Sequence, residues 1–288
     1  GIQNYNAESS AYGIGDSASA ILSAEGQGIV ENSGVDAVYV SGDVSVDQGI
    51  ALSDLNIDLQ NISASSSAHI DFNVSGAASD ILNAGVELSG ASNIDVNDGP
   101  VEAAVGAQLD ALNESLQEFL PYSSDYGMSG GMEMSGESVM GYEANIIDYA
   151  IQDSAKDIAD ALIVSSSSTN LDSAISVVAT GGTITMQEAE ELQSIIGYSD
   201  YSSNYVIQDS AAAIMGDQST GVDAGVEQIL VTDSVSVNDA MTLSDMEASL
   251  DVLRGDSQTD IDFDVVGSAN DIIFNASELS GATNVTVN

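Results

Sequence analysis

Short runs in which apolar residues alternate with polar or smaller ones punctuate this chain, and each is followed by a helical pattern. Tyr205, Ile207 and Asp209 have the period-2 spacing of a strand. Asp209 then stands where a helix N-cap is wanted, ahead of Ser210-Ala211-Ala212-Ala213-Ile214-Met215, and its carboxylate is expected to accept hydrogen bonds from the free first-turn amides. After a Gly/Asp-rich loop, Gln228-Ile229-Leu230-Val231-Thr232 is apolar on successive residues, as are Ala37 to Ser41 and Ile175 to Ala179. Such runs predict a second strand covered on both faces. A second helix closes the unit, with an apolar stripe at Val237, Ala240, Met241, Leu243 and Met246. Thr185-Met186-Gln187-Glu188 and Ser45-Val46-Asp47-Gln48 are capping boxes that open two such helices.

This strand, short helix, strand, helix pattern recurs. Tyr12-Gly13-Ile14-Gly15-Asp16-Ser17-Ala18 returns at Tyr149 to Ala155 and at Tyr205 to Ala211, each time followed three residues later by isoleucine (Ile21, Ile158, Ile214). Asp16 and Asp153 therefore share the capping role expected of Asp209. Weaker copies start at Phe72 and Phe263 and lead to Ile81 and Ile272. The markers Ile14, Val74, Ile151, Ile207 and Val265 lie 60, 77, 56 and 58 residues apart, so the long spacing contains an insertion. A longer echo links Leu88 to Asn97 with Leu279 to Asn288, 191 positions on.

Alternation of this kind demands parallel strands with helical crossovers, hence an α/β fold. Because the units repeat, a solenoid-like stack with a continuous core is favoured, the alternative being doubly wound parallel sheet domains. The divisions read from the pattern are an N-terminal segment 1–10, repeats at 11–60 and 61–121, an insertion at 122–145, repeats at 146–199 and 200–256, and an incomplete repeat at 257–288. The insertion, rich in Met, Gly and Ser with Met128, Met132, Met134 and Met140, has no period and reads as a surface excursion or a contact with a neighbouring molecule. Asn284-Val285-Thr286-Val287-Asn288 matches a second strand without its following helix, so either the chain continues or another chain completes the unit, and the segment 1–10 is the natural candidate to meet that end. The start at Gly1 fits a processed polypeptide or a fragment.

Composition narrows the function. Asp and Glu number 46 against Lys156 and Arg254, a formal net charge of -44, while 43% hydrophobic residues allow a substantial core. A nucleic-acid partner is excluded for lack of clustered Lys and Arg, and an anionic membrane surface is disfavoured. No apolar run approaches a membrane span. Self-repulsion of this size calls for screening by abundant cations, as in seawater, brine or the cell exterior. There is no cysteine, so neither disulfides nor thiolate metal sites arise.

Catalytic constellations are missing from the pattern. His69, the single histidine, aligns with Asp260 of the last repeat, and no second histidine exists for a zinc site. No dinucleotide or phosphate-loop fingerprint is present. The chain is read as a non-enzyme with no required cofactor. Asp260, Asp262 and Asp264, at i, i+2 and i+4 of a predicted strand, project from one face, and such a row of hard oxygen ligands is a candidate calcium site as well as a solvated acidic face. Asn61, Asn73, Asn113, Asn275 and Asn284 open Asn-x-Ser/Thr triplets.

The phrase Tyr-x-Ile-x-Asp-Ser-Ala-x-x-Ile and the run Val231-Thr232-Asp233-Ser234-Val235-Ser236-Val237-Asn238-Asp239-Ala240 resemble tandem repeats of very large secreted or cell-surface bacterial proteins, often grouped with adhesins and calcium-dependent surface proteins. The resemblance implies an extracellular structural or adhesive role and transfers no catalytic residue. The leading expectation is a homopolymeric subunit or segment of a bacterial surface filament or sheath, assembling head to tail. The alternative is a calcium-dependent adhesin module that binds a cell-surface glycan or a protein.

Overall fold

A computed structural model describes residues 12–31, 35–62, 68–117, 146–164, 171, 173–216, 222–254, 260–279 and 281–288. The segment 1–10 and the insertion 122–145 lie outside the described residues. The chain divides into two compact units, one of Gly1–Gly99 with Gln108–Tyr149, the other of Pro100–Ala107 with Ala150–Asn288.

In the first unit, β1 (Tyr12–Asp16), α1 (Ala18–Ile21), α2 (Ala24–Val30), β2 (Val35–Val40) and α3 (Val46–Ile62) form the first repeat. The second repeat has β3 (His69–Asp71), β4 (Asn73–Gly76), α4 (Ala78–Ala84) and β5 (Asn93–Val96), and continues into α5 (Ala103–Gln117). β3 and β4 are two halves of one extended run around Phe72: β3 pairs with β2 through Val38↔Ile70, and β4 pairs with β5 through Val74↔Ile94. Val38, Leu52, Leu59, Phe72, Val74, Ile81 and Ile94 are buried, which removes the apolar side of each strand and helix from water. Asn56 of α3 ties the long helix to the next strand, its Oδ1 accepting the Ile70 N–H at 2.8 Å. Asn113 does the same in α5, accepting the N–H groups of Ile146 and Ile147 at 2.9 and 3.2 Å.

The second unit carries the rest of β6 (Ile147–Asp153), then α6 (Ala155–Val164), β7 (Ala174–Ile184), α7 (Met186–Gln193), β8 (Asn204–Asp209), α8 (Ala211–Gly216), β9 (Val226–Ser236), α9 (Val237–Arg254), β10 (Asp260–Gly267), α10 (Ala269–Phe274) and β11 (Ala282–Val287). The recurrent isoleucines Ile158 and Ile214 are buried, as are Tyr205, Ile207, Ile229 and Leu243. The long second strands of the repeats are kinked. β9 pairs with β10 through Ile229↔Ile261 and again, after a shift, through Val235↔Val265, and β7 shifts at Gly181 and Gly182, whose φ of 70° and 93° favour glycine.

All pairings among the described residues are parallel. The order β1-β2-β3 in one sheet and β11-β10-β9-β8-β7-β6-β5-β4 in the other follows the chain without a reversal. The fold is therefore α/β with parallel strands, and its order is that of a stack; a doubly wound sheet reverses its strand order at a switch point. One expectation is overturned: the second strands are not covered on both faces. Val38 and Ile229 are buried, but Tyr39 is 52% and Ile175 64% exposed. A sheet wound in one direction with crossovers of one hand gathers its helices on one face and leaves the other to solvent.

Candidate functional site

The recurrent aspartates have a different job from the one expected. β8 runs through Asp209, so its backbone is extended there and the helix begins only at Ala211; Ser210 is left at the cap position. Ser210 Oγ accepts the Ala213 N–H at 3.3 Å, and Ser154 Oγ accepts the Asp157 N–H at 3.1 Å. Asp209 instead bridges. Its Oδ1 accepts the Ser210 N–H at 2.7 Å, while its Oδ2 accepts the N–H of Met186, the first residue of the preceding long helix, at 3.1 Å. Asp153 repeats the arrangement with Ser154 at 2.8 Å and Ala103, the first residue of α5, at 3.0 Å. Asp98 and Asp233 reach the first amides of α4 and α8, Ala78 and Ala211, at 3.2 and 2.7 Å. A carboxylate against a helix N-terminus satisfies an orphan amide and meets the positive end of the helix dipole.

Asp16 is the exception. Its Oδ1 accepts the Ser17 N–H at 2.7 Å like the others, but no helix amide among the described residues reaches its second oxygen. Beside it, between β1, α1 and α2, lies a groove of about 290 Å³ lined by Ile14, Ala20, Ile21, Ile29 and Val30, with Asp16 and Glu25 at its polar side.

The expected capping boxes form. Thr185 Oγ1 accepts the Glu188 N–H at 3.2 Å while Glu188 Oε2 accepts the Thr185 N–H at 2.7 Å, and Ser45 with Gln48 makes the same exchange at 3.4 and 3.2 Å. Burial pushes the Glu188 carboxyl up, but the Thr185 hydrogen bonds and the Lys156 ammonium at 3.4 Å outweigh it and hold the group below its ordinary value. Lys156 also pairs with Asp160.

Asp260, Asp262 and Asp264 do share the face of β10 opposite to buried Ile261, Phe263 and Val265. Two of the three are engaged by neighbouring amides: Gln228 Nε2 donates to Asp262 Oδ2 and Asn284 Nδ2 to Asp264 Oδ1, both at 2.7 Å. Among the described residues no group of three His, Asp or Glu side chains is arranged to hold a metal ion. His69 is exposed on β3, its ring edge-on to Tyr39 with centroids 6.3 Å apart. Of the Asn-x-Ser/Thr asparagines, Asn113 is buried and hydrogen-bonded, which removes it as a glycan acceptor.

A cluster that the repeat pattern concealed lies at Tyr198, Tyr205 and Asp223. The fully buried Tyr205 donates its hydroxyl to Asp223 Oδ1 at 3.2 Å, and Gly225 N–H donates to the same oxygen at 2.7 Å. Burial raises both phenols, with the nearby Asp223 charge adding to the effect, and burial raises the Asp223 carboxyl above its usual range against the pull of its hydrogen bonds. Both phenols stay protonated at neutral pH, and the hydrogen bond to Asp223 anchors the repeat tyrosine. Tyr205 itself was legible as a repeat position; its acid partner sits in Gly221-Val222-Asp223-Ala224, a phrase that the first repeat carries as Gly34-Val35-Asp36-Ala37.

The outer strand and helix at the C-terminal side expose what the interior buries. Val285 and Val287 of β11 are 45% and 59% exposed, whereas Ile94, the counterpart of Val285 in the duplicated stretch, is fully buried and paired with Ile147 of β6. Ile273 is 71% exposed where Ala159 of the third repeat is buried. β11 also carries no charged residue; Thr286 stands where its twin has Asp95.

No protein-family model matches the chain, and no curated protein matches it by sequence. No helix among the described residues is long and apolar enough to cross a membrane.

Proposed function

We propose that this chain is a non-enzymatic structural repeat protein of the bacterial cell exterior, a subunit or segment of a surface filament or sheath whose copies stack head to tail. One observation carries the reading: the strand order runs monotonically through parallel units of one pattern, so copies that extend this order would meet through heterologous, head-to-tail contacts. A heterologous contact of this kind propagates without closing. The extracellular placement rests on the excess of acid, which calls for water rich in cations. The calcium-dependent adhesin reading has less support, since Asp262 and Asp264 are held by amide side chains.

Electron microscopy with sedimentation velocity tests the reading, using the purified protein from low salt to seawater-like salt. Regular fibres with a subunit-scale repeat are expected. A strictly monodisperse monomer across the whole range overturns the proposal.

A further inference from the structure

The first strand of each repeat ends on one of two residues, and the long helices that meet those ends open on one of two kinds. Two places after the strand markers stand Asp16, Gly76, Asp153, Asp209 and Gly267. The long helices open on Val46, Ala103, Met186 and Val237. Asp153 and Asp209 accept the first amides of the Ala103 and Met186 helices at 3.0 and 3.1 Å. Gly76 and Gly267 face Val46 and Val237, whose Cγ2 atoms would lie 2.6 and 2.7 Å from a Cβ at those positions. We propose that this residue pair is a matching key that decides which repeat can follow which, and that the third repeat leaves the key unchanged, so that it can be removed without a mismatch.

The key excludes in both directions. Valine carries two γ carbons and holds one strongly preferred χ1 in a helix, so it cannot swing clear of a Cβ placed that close. Asp is thereby barred opposite Val. Alanine has no γ atom and the single Cγ of methionine can turn aside, so both leave room for the carboxylate. Glycine opposite Ala or Met removes the carboxylate that serves the first helix amide in the Asp pairs, and leaves a gap where the valine methyl would sit. Along the chain, the first and fourth repeats have Asp at the strand end and pass on Val. The second has Gly and passes on Ala103; the third has Asp and passes on Met186, which calls for Asp again. Skipping the third repeat would set Ala103 against Asp209, a match. Skipping the second would set Val46 against Asp153, and skipping the fourth would set Met186 against Gly267; both are mismatches.

A double-mutant cycle in the full chain tests the pairing. Gly267→Asp alone should lower the melting temperature. With Val237→Ala in the same chain its effect should change sign, Asp at 267 then raising the folding equilibrium constant about fivefold, the contribution of one helix cap. Additive effects of the two substitutions overturn the key. Repeat deletion tests the ordering. Removing residues 151–206 joins Ala150 to Ile207 and restores the repeat phrase; this chain should unfold in one cooperative transition by circular dichroism, and Asp209→Ala should weaken it as in the parent. Removing residues 207–264 joins Val206 to Val265, and there Gly267→Asp should stabilise, opposite to its effect in the full chain. The same sign in both chains overturns the proposal, as does a chain without 151–206 that fails to fold where the chain without 207–264 succeeds. If neither shortened chain unfolds cooperatively, the third repeat is not removable and that half of the proposal fails, while the cycle still decides the pairing. None of these measurements reads fibre formation, so their failure and that of the stacking reading are separate results.

Discussion

Asp209 caps a helix that begins 23 residues before it: its Oδ2 accepts the Met186 N–H at 3.1 Å, while Oδ1 keeps the amide of its own neighbour, Ser210, at 2.7 Å. Each strand of this type is thereby stapled to the long helix of the preceding repeat. Asp153 and Ala103 make the same staple. Part of the acidity of the chain is accordingly structural, since carboxylates placed against helix N-termini are stabilised where free surface carboxylates only repel one another.

The staple makes Asp209 sensitive to more than loss of charge. Asp209→Ala should lower stability by about 1 to 2 kcal/mol, because it orphans the Met186 amide at a buried helix start. Asp209→Asn should fall between Asp209→Ala and the parent, since a carboxamide has one acceptor oxygen for two amides 24 residues apart. Urea melts of the three proteins measure this; an Asn variant as stable as the parent would show that one of the two hydrogen bonds contributes nothing.

At two of the same strand ends the residue is Gly, not Asp, and the helix it faces begins with Val. A Cβ on Gly76 would lie 2.6 Å from Val46 Cγ2, and one on Gly267 would lie 2.7 Å from Val237 Cγ2. The pairs are Asp with Ala103 or Met186, and Gly with Val46 or Val237. Gly76→Ala should therefore cost about 1 to 3 kcal/mol through overpacking, and Val46→Ala in the same chain should recover most of it. The double variant Gly76→Asp with Val46→Ala should rebuild a staple; if it melts below Gly76→Ala alone, steric exchange is not the reason for the pairing.

The repeat phrase made the strand and helix order, the parallel pairing and the buried isoleucines readable, because local periodicity and core burial obey the same spacing. Thr185 with Glu188 was readable for a like reason: a capping box closes within four residues. The partner of Asp209 was not. A carboxylate just ahead of a helix satisfies the local cap pattern, and only the register of β7 with β8 brings Met186 beside it. The apolar runs at Val38 to Val40 and Ile229 to Val231 misled for the opposite reason, since a run apolar on successive residues does not say whether helices cover both faces. Asp223 lies in Gly221-Val222-Asp223-Ala224, which repeats Gly34-Val35-Asp36-Ala37, but a recurrent loop acid does not by itself say that it meets a buried tyrosine.

Asp223 sets an expectation for pH. Its folded carboxyl titrates above the ordinary range because burial disfavours the charge, so the contribution of its protonated form is present below the unfolded value and is lost as pH rises through the folded one. Asp223→Asn should thus melt higher than the parent at neutral pH, with the gap closing on acidification. Glu188 runs the other way: held below its ordinary value, it stabilises above that value and loses this as pH falls. Glu188→Gln should narrow its deficit in acid. Parallel melting curves for Asp223→Asn and the parent at every pH would remove Asp223 from the account.

Cations should stabilise the fold. With a net charge of -44 and only Lys156 and Arg254 to offset it, repulsion between exposed carboxylates opposes compaction, and screening relieves it over about 8 to 10 Å at 0.1 to 0.15 M salt. Lys156 is committed to Asp160 and Glu188, so it leaves the rest of the surface uncompensated. The melting temperature is expected to climb with sodium chloride and to climb similarly with calcium chloride at matched ionic strength, because Asp262 and Asp264 already receive Gln228 and Asn284 amides. Differential scanning calorimetry in sodium, in calcium and in sodium with chelator separates the cases. A calcium effect well above that of sodium, lost in Asp262→Asn with Asp264→Asn, would establish the β10 row as a metal site after all, and an unchanged melting temperature in all three solutions would show that charge repulsion is not a significant term in this fold.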